Sequence, residues 1–332
     1  MLRFKTNHFL TGEELSRQEL LDLVARAEEL RVHRSEQTDG PLKGKTIALM
    51  FEKPSLRTRV SFTVGVHELG GFALEIDSSK TKDEEPEDAT RVLQGMVHGI
   101  MLRTFKHETL TRMCSVAKVP VINGLSDDHH PCQAIADLQT LQQHFGKLKG
   151  LTLCYIGDGN NVLHSLLLML PFAGVNVTYA CPKGYEPDAE ILARAHERAK
   201  WGGAKIKGFT SPAEAVKGAN ALYTDVWASM GQEDQTAKRK KIFKDYQLNA
   251  KLYALAAKNA IIMHCLPMLK GWEITADLVE HSNSAIFAQA ANRLHAQKAL
   301  MEGLFATAPR TVKKSSAATA TKKAGKTLEK NL

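Results

Sequence analysis

Five polar clusters in the chain combine residue types suited to chemistry, and each stands where an apolar run gives way to a turn. In Ser55-Leu56-Arg57-Thr58-Arg59, two hydroxyls alternate with two guanidinium groups. The segment follows the apolar run Lys45 to Phe51 and precedes a helical pattern through Val60, Phe62, Val64 and Val66, so it opens a helix. Unpaired N–H groups and the positive end of the helix dipole suit a phosphate there. Arginine forks hold phosphate oxygens bidentately, and the hydroxyls add donors. The plainer reading is a surface turn with solvated arginines.

The second cluster is Asp128-His129-His130-Pro131-Cys132-Gln133. Two histidines and a cysteine suggest a metal, but no second cluster supplies further ligands at a usual spacing, so no metal is expected. His130 and Gln133, beside a helix start, instead suit hydrogen bonding to a carbonyl oxygen, and Arg103 at a strand end can join them. The third, Gly157-Asp158-Gly159-Asn160-Asn161, has the strand–turn–helix setting of a dinucleotide site but lacks the third glycine, which disfavours a nicotinamide cofactor. Its asparagines suit a zwitterionic or amide group. The fourth, Asp225 to Glu233, offers a carboxylate for an ammonium ligand, or else a helix cap. The fifth is His264-Cys265-Leu266-Pro267, in which Cys265 is a buried apolar residue or a nucleophile.

Positioning these clusters requires alternating strands and helices. Strands are predicted at 45–51, 74–76, 99–102 and 119–123, then at 151–156, 175–180, 206–209, 221–224, 260–263 and 285–287. Helices are predicted after the Thr11–Glu14 capping-box spacing, after Ser55, over 87–97, over 131–145, from Asn161, and over 294–304. The fold class is α/β, with two domains, each a mostly parallel sheet flanked by helices, and the site in the crevice between them. Boundaries are placed at residues 1–147, 148–290, a C-terminal helix 291–307 packing back on the first domain, and a tail 308–332.

The chain has 332 residues, 43% hydrophobic and 24% charged, a balance typical of a soluble globular protein of two domains. No apolar run reaches the roughly 20 residues of a membrane span. The N-terminus lacks the pattern of a signal peptide, so the expected location is cytoplasmic. The five cysteines show no paired spacing, which argues against disulfides. Of the net charge of +8, most lies beyond Ala308, in an Ala-, Ser-, Thr- and Lys-rich tail expected to be disordered. The body is about neutral, and no nucleic-acid partner is expected.

Taken together, the clusters resemble the aspartate/ornithine carbamoyltransferase superfamily, from about Phe9 to Gly303. Ser55 to Arg59 is similar to its S-T-R-T-R turn, His130-Pro131-Cys132-Gln133 to its H-P-x-Q, and Arg293 to its last carbamoyl phosphate arginine. Asn161, the D-x-x-x-S-M-G of Asp225 to Gly231, and His264-Cys265-Leu266-Pro267 resemble the branch that uses ornithine. The resemblance implies carbamoyl transfer from carbamoyl phosphate to L-ornithine, giving citrulline. Carbamoyl phosphate contacts are implied for Ser55, Leu56, Arg57, Thr58, Lys80, Arg103, His130, Gln133, Cys265, Leu266 and Arg293. Ornithine contacts are implied for Asn161, Asp225, Ser229 and Met230, with Arg103, His130, Gln133, Asp225 and Cys265 catalytic. It further implies no cofactor and a homotrimer or a multiple of trimers. Alternatives are transfer to putrescine or an acylated ornithine, or a non-catalytic relative.

Departures from the family pattern are Leu56 for a threonine, a shorter loop from Asp77 to Glu85, and Ala288, Gln289 and Ala291 where acidic residues are usual. In that loop Lys80 or Lys82 is the candidate to reach a neighbouring subunit's site, as a lysine does in the aspartate enzymes.

Overall fold

The computed structural model describes residues 2–34, 40–78, 84–228 and 233–306. The first sheet holds β1 (Thr46–Phe51), β2 (Phe72–Asp77), β3 (Gly99–Arg103) and β4 (Val121–Leu125), all parallel, in the order β2-β1-β3-β4. The second holds β5 (Thr152–Ile156), β6 (Asn176–Ala180), β7 (Ile206–Phe209), β8 (Ala221–Thr224) and β9 (Ile261–His264), parallel, in the order β7-β6-β5-β8-β9. Helices α1 (Arg17–Val32), α2 (Leu56–Glu68), α3 (Pro86–Leu93), α4 (His107–Val116) and α5 (Pro131–Phe145) accompany the first sheet. With the second come α6 (Asn161–Ala173), α7 (Ala189–Gly202), α8 (Pro212–Ala215), α9 (Thr236–Phe243), α10 (Ala250–Tyr253) and α11 (Ala276–Val279), and α12 (Ile286–Phe305) returns to the helices of the first.

Each sheet reverses its winding once, between β1 and β3 in the first and between β5 and β8 in the second. A crevice opens beyond the carboxyl ends of strands at such a switch point. The four segments leaving these strands carry Ser55–Arg59, Arg103, Asn160–Asn161 and Asp225. The topology therefore brings together clusters that lie far apart in the chain.

The two halves meet along helices that are buried nearly all round. Residues 131–141 of α5 and 162–173 of α6 are buried, and the two helices pack on each other. Helix α12 packs on α1, α2 and α5 and also reaches β9. One apolar cluster runs from Phe9, Leu20 and Ile47 through Leu163 and Leu167 to Leu300, so the core is continuous across the junction. Proline at the first position of α5 and Gly146 at its end, with φ of 69°, fix where that helix starts and stops.

Three local expectations are corrected. Ser16 and Glu19, not Thr11 and Glu14, form the capping box of α1. Glu14 instead accepts from the backbone N–H groups of Leu10, Thr11 and Gly12 and closes the preceding loop. The segment 285–287 is no strand: Ser284 makes a single bridge to Ile262, and α12 begins at Ile286. That helix is therefore longer than the 294–304 and 291–307 readings. Strand β4 is shifted from the expected 119–123 and runs from Val121 through Gly124 to Leu125. The tail 308–332 lies outside the described residues, as do Lys80, Lys82, Ser229 and Met230.

Candidate active site

The phosphate-type turn forms because β1 ends at Phe51 and Ser55 caps α2. The Ser55 hydroxyl oxygen accepts from the Thr58 N–H at 3.3 Å, leaving its own hydrogen available to a ligand. The Leu56 side chain is 74% exposed, so its substitution for threonine alters the rim and leaves the helix end intact. Arg57 is half-buried and forms no ion pair among the described residues. Burial pushes its guanidinium down, while Cys265 and Asp225 of the second half oppose that shift. Arg57 is thus within electrostatic reach of both residues. Arg59 behaves differently: it pairs with Glu75 on β2 and lies 4.5 Å from the Phe51 ring centroid.

Arg103 ends β3 and is buried. Its guanidinium is pushed down to about 10 by burial and then by the charges of Arg293 and Arg57, so it stays cationic at neutral pH. Three guanidinium groups thus converge, as an anion site requires. His130 precedes α5, and its backbone N–H donates to Ser165 Oγ on α6 at 2.7 Å. Burial and the same three arginines hold its imidazole well below the usual histidine range, hence neutral. Its Nδ1 is buried with no hydrogen-bond partner among the described residues. Arg293 is fully buried on α12 and donates to Gln133 Oε1 at 2.9 Å and Thr58 Oγ1 at 3.3 Å. With its amide oxygen turned toward Arg293, Gln297 accepts at 2.8 Å and 3.1 Å.

On the facing half, Asn160 caps α6 through its side-chain oxygen and donates from Nδ2 to Asp225 Oδ2 at 2.8 Å. Asp225, just past β8, also accepts from the Cys265 thiol at 2.9 Å and from the Val226 N–H at 2.8 Å. Burial, followed by Asp225, pushes the Cys265 thiol well above its ordinary range, which makes it a neutral donor and a poor nucleophile. Asn161 Nδ2 donates to the Ser126 carbonyl at 2.6 Å and so links the two halves. Leu266 follows Cys265 with φ of 60° and donates its N–H to His264 Nδ1 at 2.8 Å.

Asp225, His264 and Cys265 bring potential metal-ligand atoms within 4.8 Å of one another. Those atoms are already engaged: His264 Nε2 is 3.1 Å from Glu273 Oε1, Nδ1 accepts from Leu266, and the thiol is spent on Asp225. Asp225 and Cys265 form one hydrogen-bonded pair, and His264 is fixed separately by Glu273 and Leu266.

Of the sequence-predicted residues, Ser55, Arg57, Thr58, Arg103, His130, Gln133 and Arg293 lie in one half of the crevice. Asn161, Asp225, Cys265 and Leu266 lie in the other. Residues that the sequence reading did not place at the site also bear on it: Asp137, Tyr223, Gln289 and Gln297. Asp137 is buried among neutral donors, and a lone acid on an otherwise buried helix was the signal available for it.

The carbamoyl-P binding domain of the aspartate/ornithine carbamoyltransferases matches residues 7–143, and their Asp/Orn binding domain matches residues 149–304. Ornithine carbamoyltransferase of Carboxydothermus hydrogenoformans is 47% identical over 303 residues, spanning 90% of this chain and 96% of that protein. Its counterpart from Thermococcus kodakarensis is 45% identical, over 87% of this chain and 93% of its own length. The solved structure of ornithine carbamoyltransferase from Pyrococcus furiosus superimposes with a TM-score of 0.86 at 41% identity, over 90% of this chain and 96% of that one.

Proposed function

The chain belongs to the aspartate/ornithine carbamoyltransferase family, and on that premise we propose that it transfers the carbamoyl group of carbamoyl phosphate to the side-chain amine of L-ornithine, giving L-citrulline and phosphate. The observation that carries this reading is the convergence of Arg57, Arg103 and Arg293 around a neutral, unpartnered His130, facing the Asp225–Cys265 pair.

The phosphate sits at the start of α2, held by Arg57, the Ser55 and Thr58 hydroxyls and the N–H groups of the first turn. Arg103 and the imidazole of His130 donate to the carbonyl oxygen, which becomes an oxyanion when the amine attacks. A neutral imidazole suits this role because it donates without having to lose its proton. The ornithine side-chain ammonium, with a pKa of about 10 in water, attacks only after losing a proton. Asp225, fixed by Cys265 and Asn160, orients the amine. The new C–N bond forms, the C–O bond to phosphate breaks, and the surplus nitrogen proton leaves with the phosphate. Asn161 and the motif residues Ser229 and Met230 hold the amino-acid end, and Leu266 borders the carbamoyl group.

The reading extends to assembly, location and domain division. Strand β2 is an edge strand whose Phe72 and Leu74, on one strand face, are 64% and 40% exposed, an apolar surface suited to a second copy and to the expected homotrimer. Lys80 of a neighbouring copy would then approach the site. The five thiols are all unpaired, which supports the cytoplasm. No helix among the described residues is long and apolar enough to cross a membrane. A first domain ending near residue 147 agrees with the separate sheets.

The test is ureido-product formation from carbamoyl phosphate with ornithine, N-acetylornithine and putrescine. Citrulline from ornithine, with the other amines at background, is expected; turnover of another amine instead, or of none, refutes the proposal.

A further inference from the structure

Asp137 lies one helical turn beyond Gln133 on the same face of α5, and it is completely buried. No lysine or arginine among the described residues hydrogen-bonds its carboxylate. Its partners are three neutral donors: Gln133 Nε2 at 2.8 Å and Gln289 Nε2 at 2.7 Å on Oδ1, and the Tyr223 hydroxyl at 3.2 Å on Oδ2. Burial pushes its carboxyl up to about 7 against these donors and the nearby Arg293 charge, so packing alone does not account for this residue.

The orientation of Gln133 follows from its two neighbours. A carboxylate only accepts and a guanidinium only donates. Gln133 stands between Asp137 and Arg293, so its nitrogen must face Asp137 and its oxygen must face Arg293. The sequence reading cast Gln133 as a donor to the carbonyl oxygen, whereas in the structure its Nε2 is turned to Asp137. Its amide oxygen has a second lone pair beyond the one engaged by Arg293.

We propose that Asp137 is a positioning residue, holding Gln133 so that Oε1 accepts a hydrogen bond from the carbamoyl NH2 and selects it over a methyl group. The inference rests on the carbamoyl phosphate reading and deepens it. Asp137 also ties this recognition to the facing half. Gln289 Oε1 accepts from the His264 N–H at 2.9 Å, one residue before Cys265, and Tyr223 lies two residues before Asp225. The glutamine at 289, where the family usually has acidic residues, can donate to Asp137 and accept from His264 at once; a carboxylate could do only the second.

Phosphonoacetamide and acetonylphosphonate differ only in NH2 against CH3 on the carbonyl, and both are stable to transfer. Calorimetric dissociation constants for the pair at about pH 9 isolate the contact, because burial pushes the Asp137 carboxyl up to about 7 and only above that value is it chiefly a carboxylate. The wild-type chain is expected to prefer the amide. In Asp137→Leu that preference should fall about tenfold, the worth of one hydrogen bond, with acetonylphosphonate binding within about twofold of wild type. Asp137→Asn, whose oxygen can still accept from Gln133, should keep the preference. An unchanged preference in Asp137→Leu, or equal weakening of both ligands, overturns the proposal. If Asp137→Leu does not fold, Gln289→Met, which releases one partner of Asp137, should lower the preference about threefold, and no change there overturns it. A wild-type chain that binds neither ligand instead refutes the carbamoyl phosphate reading itself.

Discussion

The two arginines of the Ser55–Arg59 turn look alike in sequence, yet the structure assigns them opposite work, and Arg57→Ala against Arg59→Ala separates the two. Arg57 makes no ion pair among the described residues and stands near two other guanidinium groups. Removing it takes away a charge-assisted contact to phosphate worth about 1.5–3 kcal/mol, or roughly 10- to 150-fold in the dissociation constant for carbamoyl phosphate. The same change relieves like-charge repulsion toward Arg103 and Arg293, so thermal stability should hold or rise slightly. Arg59 is bound into the protein, through Glu75 and the face of Phe51. Its ion pair is about two-fifths exposed on the arginine side, which limits its worth to about 0.2–1 kcal/mol. With the ring contact of about 0.5–1 kcal/mol, Arg59→Ala should lower the melting temperature by a few degrees. Carbamoyl phosphate affinity in that variant should stay within about threefold. Calorimetric titration and thermal unfolding of both variants decide the matter. Weaker ligand binding in Arg59→Ala, or a lower melting temperature with intact binding in Arg57→Ala, refutes the assignment.

Two further expectations follow from burial. All five thiols are pushed up, Cys114, Cys132 and Cys154 to about 12 and Cys181 and Cys265 above their ordinary range. Ellman's reagent at about pH 8 should therefore release no thiol from the native chain within minutes and all five after unfolding; fast labelling of the native protein contradicts the neutral-donor role of Cys265. Burial also holds histidines down, His295 to about 4 and His129 to about 2, the latter with help from His107 and His164. The unfolded chain then binds more protons below about pH 6.5, so their contribution is full above that pH and is lost as pH falls toward the folded values. Urea midpoints should drop between about pH 6.5 and 5 with a slope of up to about 1.4 kcal/mol per pH unit for each such histidine; a His129→Asn variant with an undiminished slope argues against the burial effect at His129.

Much of the fold was legible because its signals are local. A buried parallel strand is a short apolar run, and the turn after it carries the polar residues, so strand ends and clusters are read together. The failures are also local, and each has a cause. Thr11–Glu14 and Ser16–Glu19 share one spacing, and only tertiary context decides that Glu14 closes a loop while Glu19 caps a helix. The apolar run ends at Asn123, but pairing to β3 with a register shift at Leu102/Arg103 carries the strand two residues further, to Leu125. The 285–287 stretch has strand composition and sits beside β9, yet it makes one bridge and then winds into α12.

The residues that touch ligand and those that position them differ in just this respect. Ser55, Arg57, Arg103, His130 and Asp225 each sit at an element end, where type and neighbourhood announce a role. Asp137, Tyr223, Gln289 and Gln297 sit inside regular elements, and their partners lie far away in sequence. Gln289 meets Asp137 across 152 positions, Arg293 meets Gln133 across 160, and Arg293 meets Thr58 across 235. No local spacing encodes such contacts. What the chain does carry is an anomaly: an acid at 137 on a helix otherwise buried from Pro131 to Leu141, four residues after a glutamine. A buried acid needs donors, and a glutamine at i−4 is one of the few neighbours a helix can guarantee. From sequence alone that pair could have been taken as one unit, with Gln133 as ligand-facing group and Asp137 as its orienter, before any partner from β8 or α12 was known.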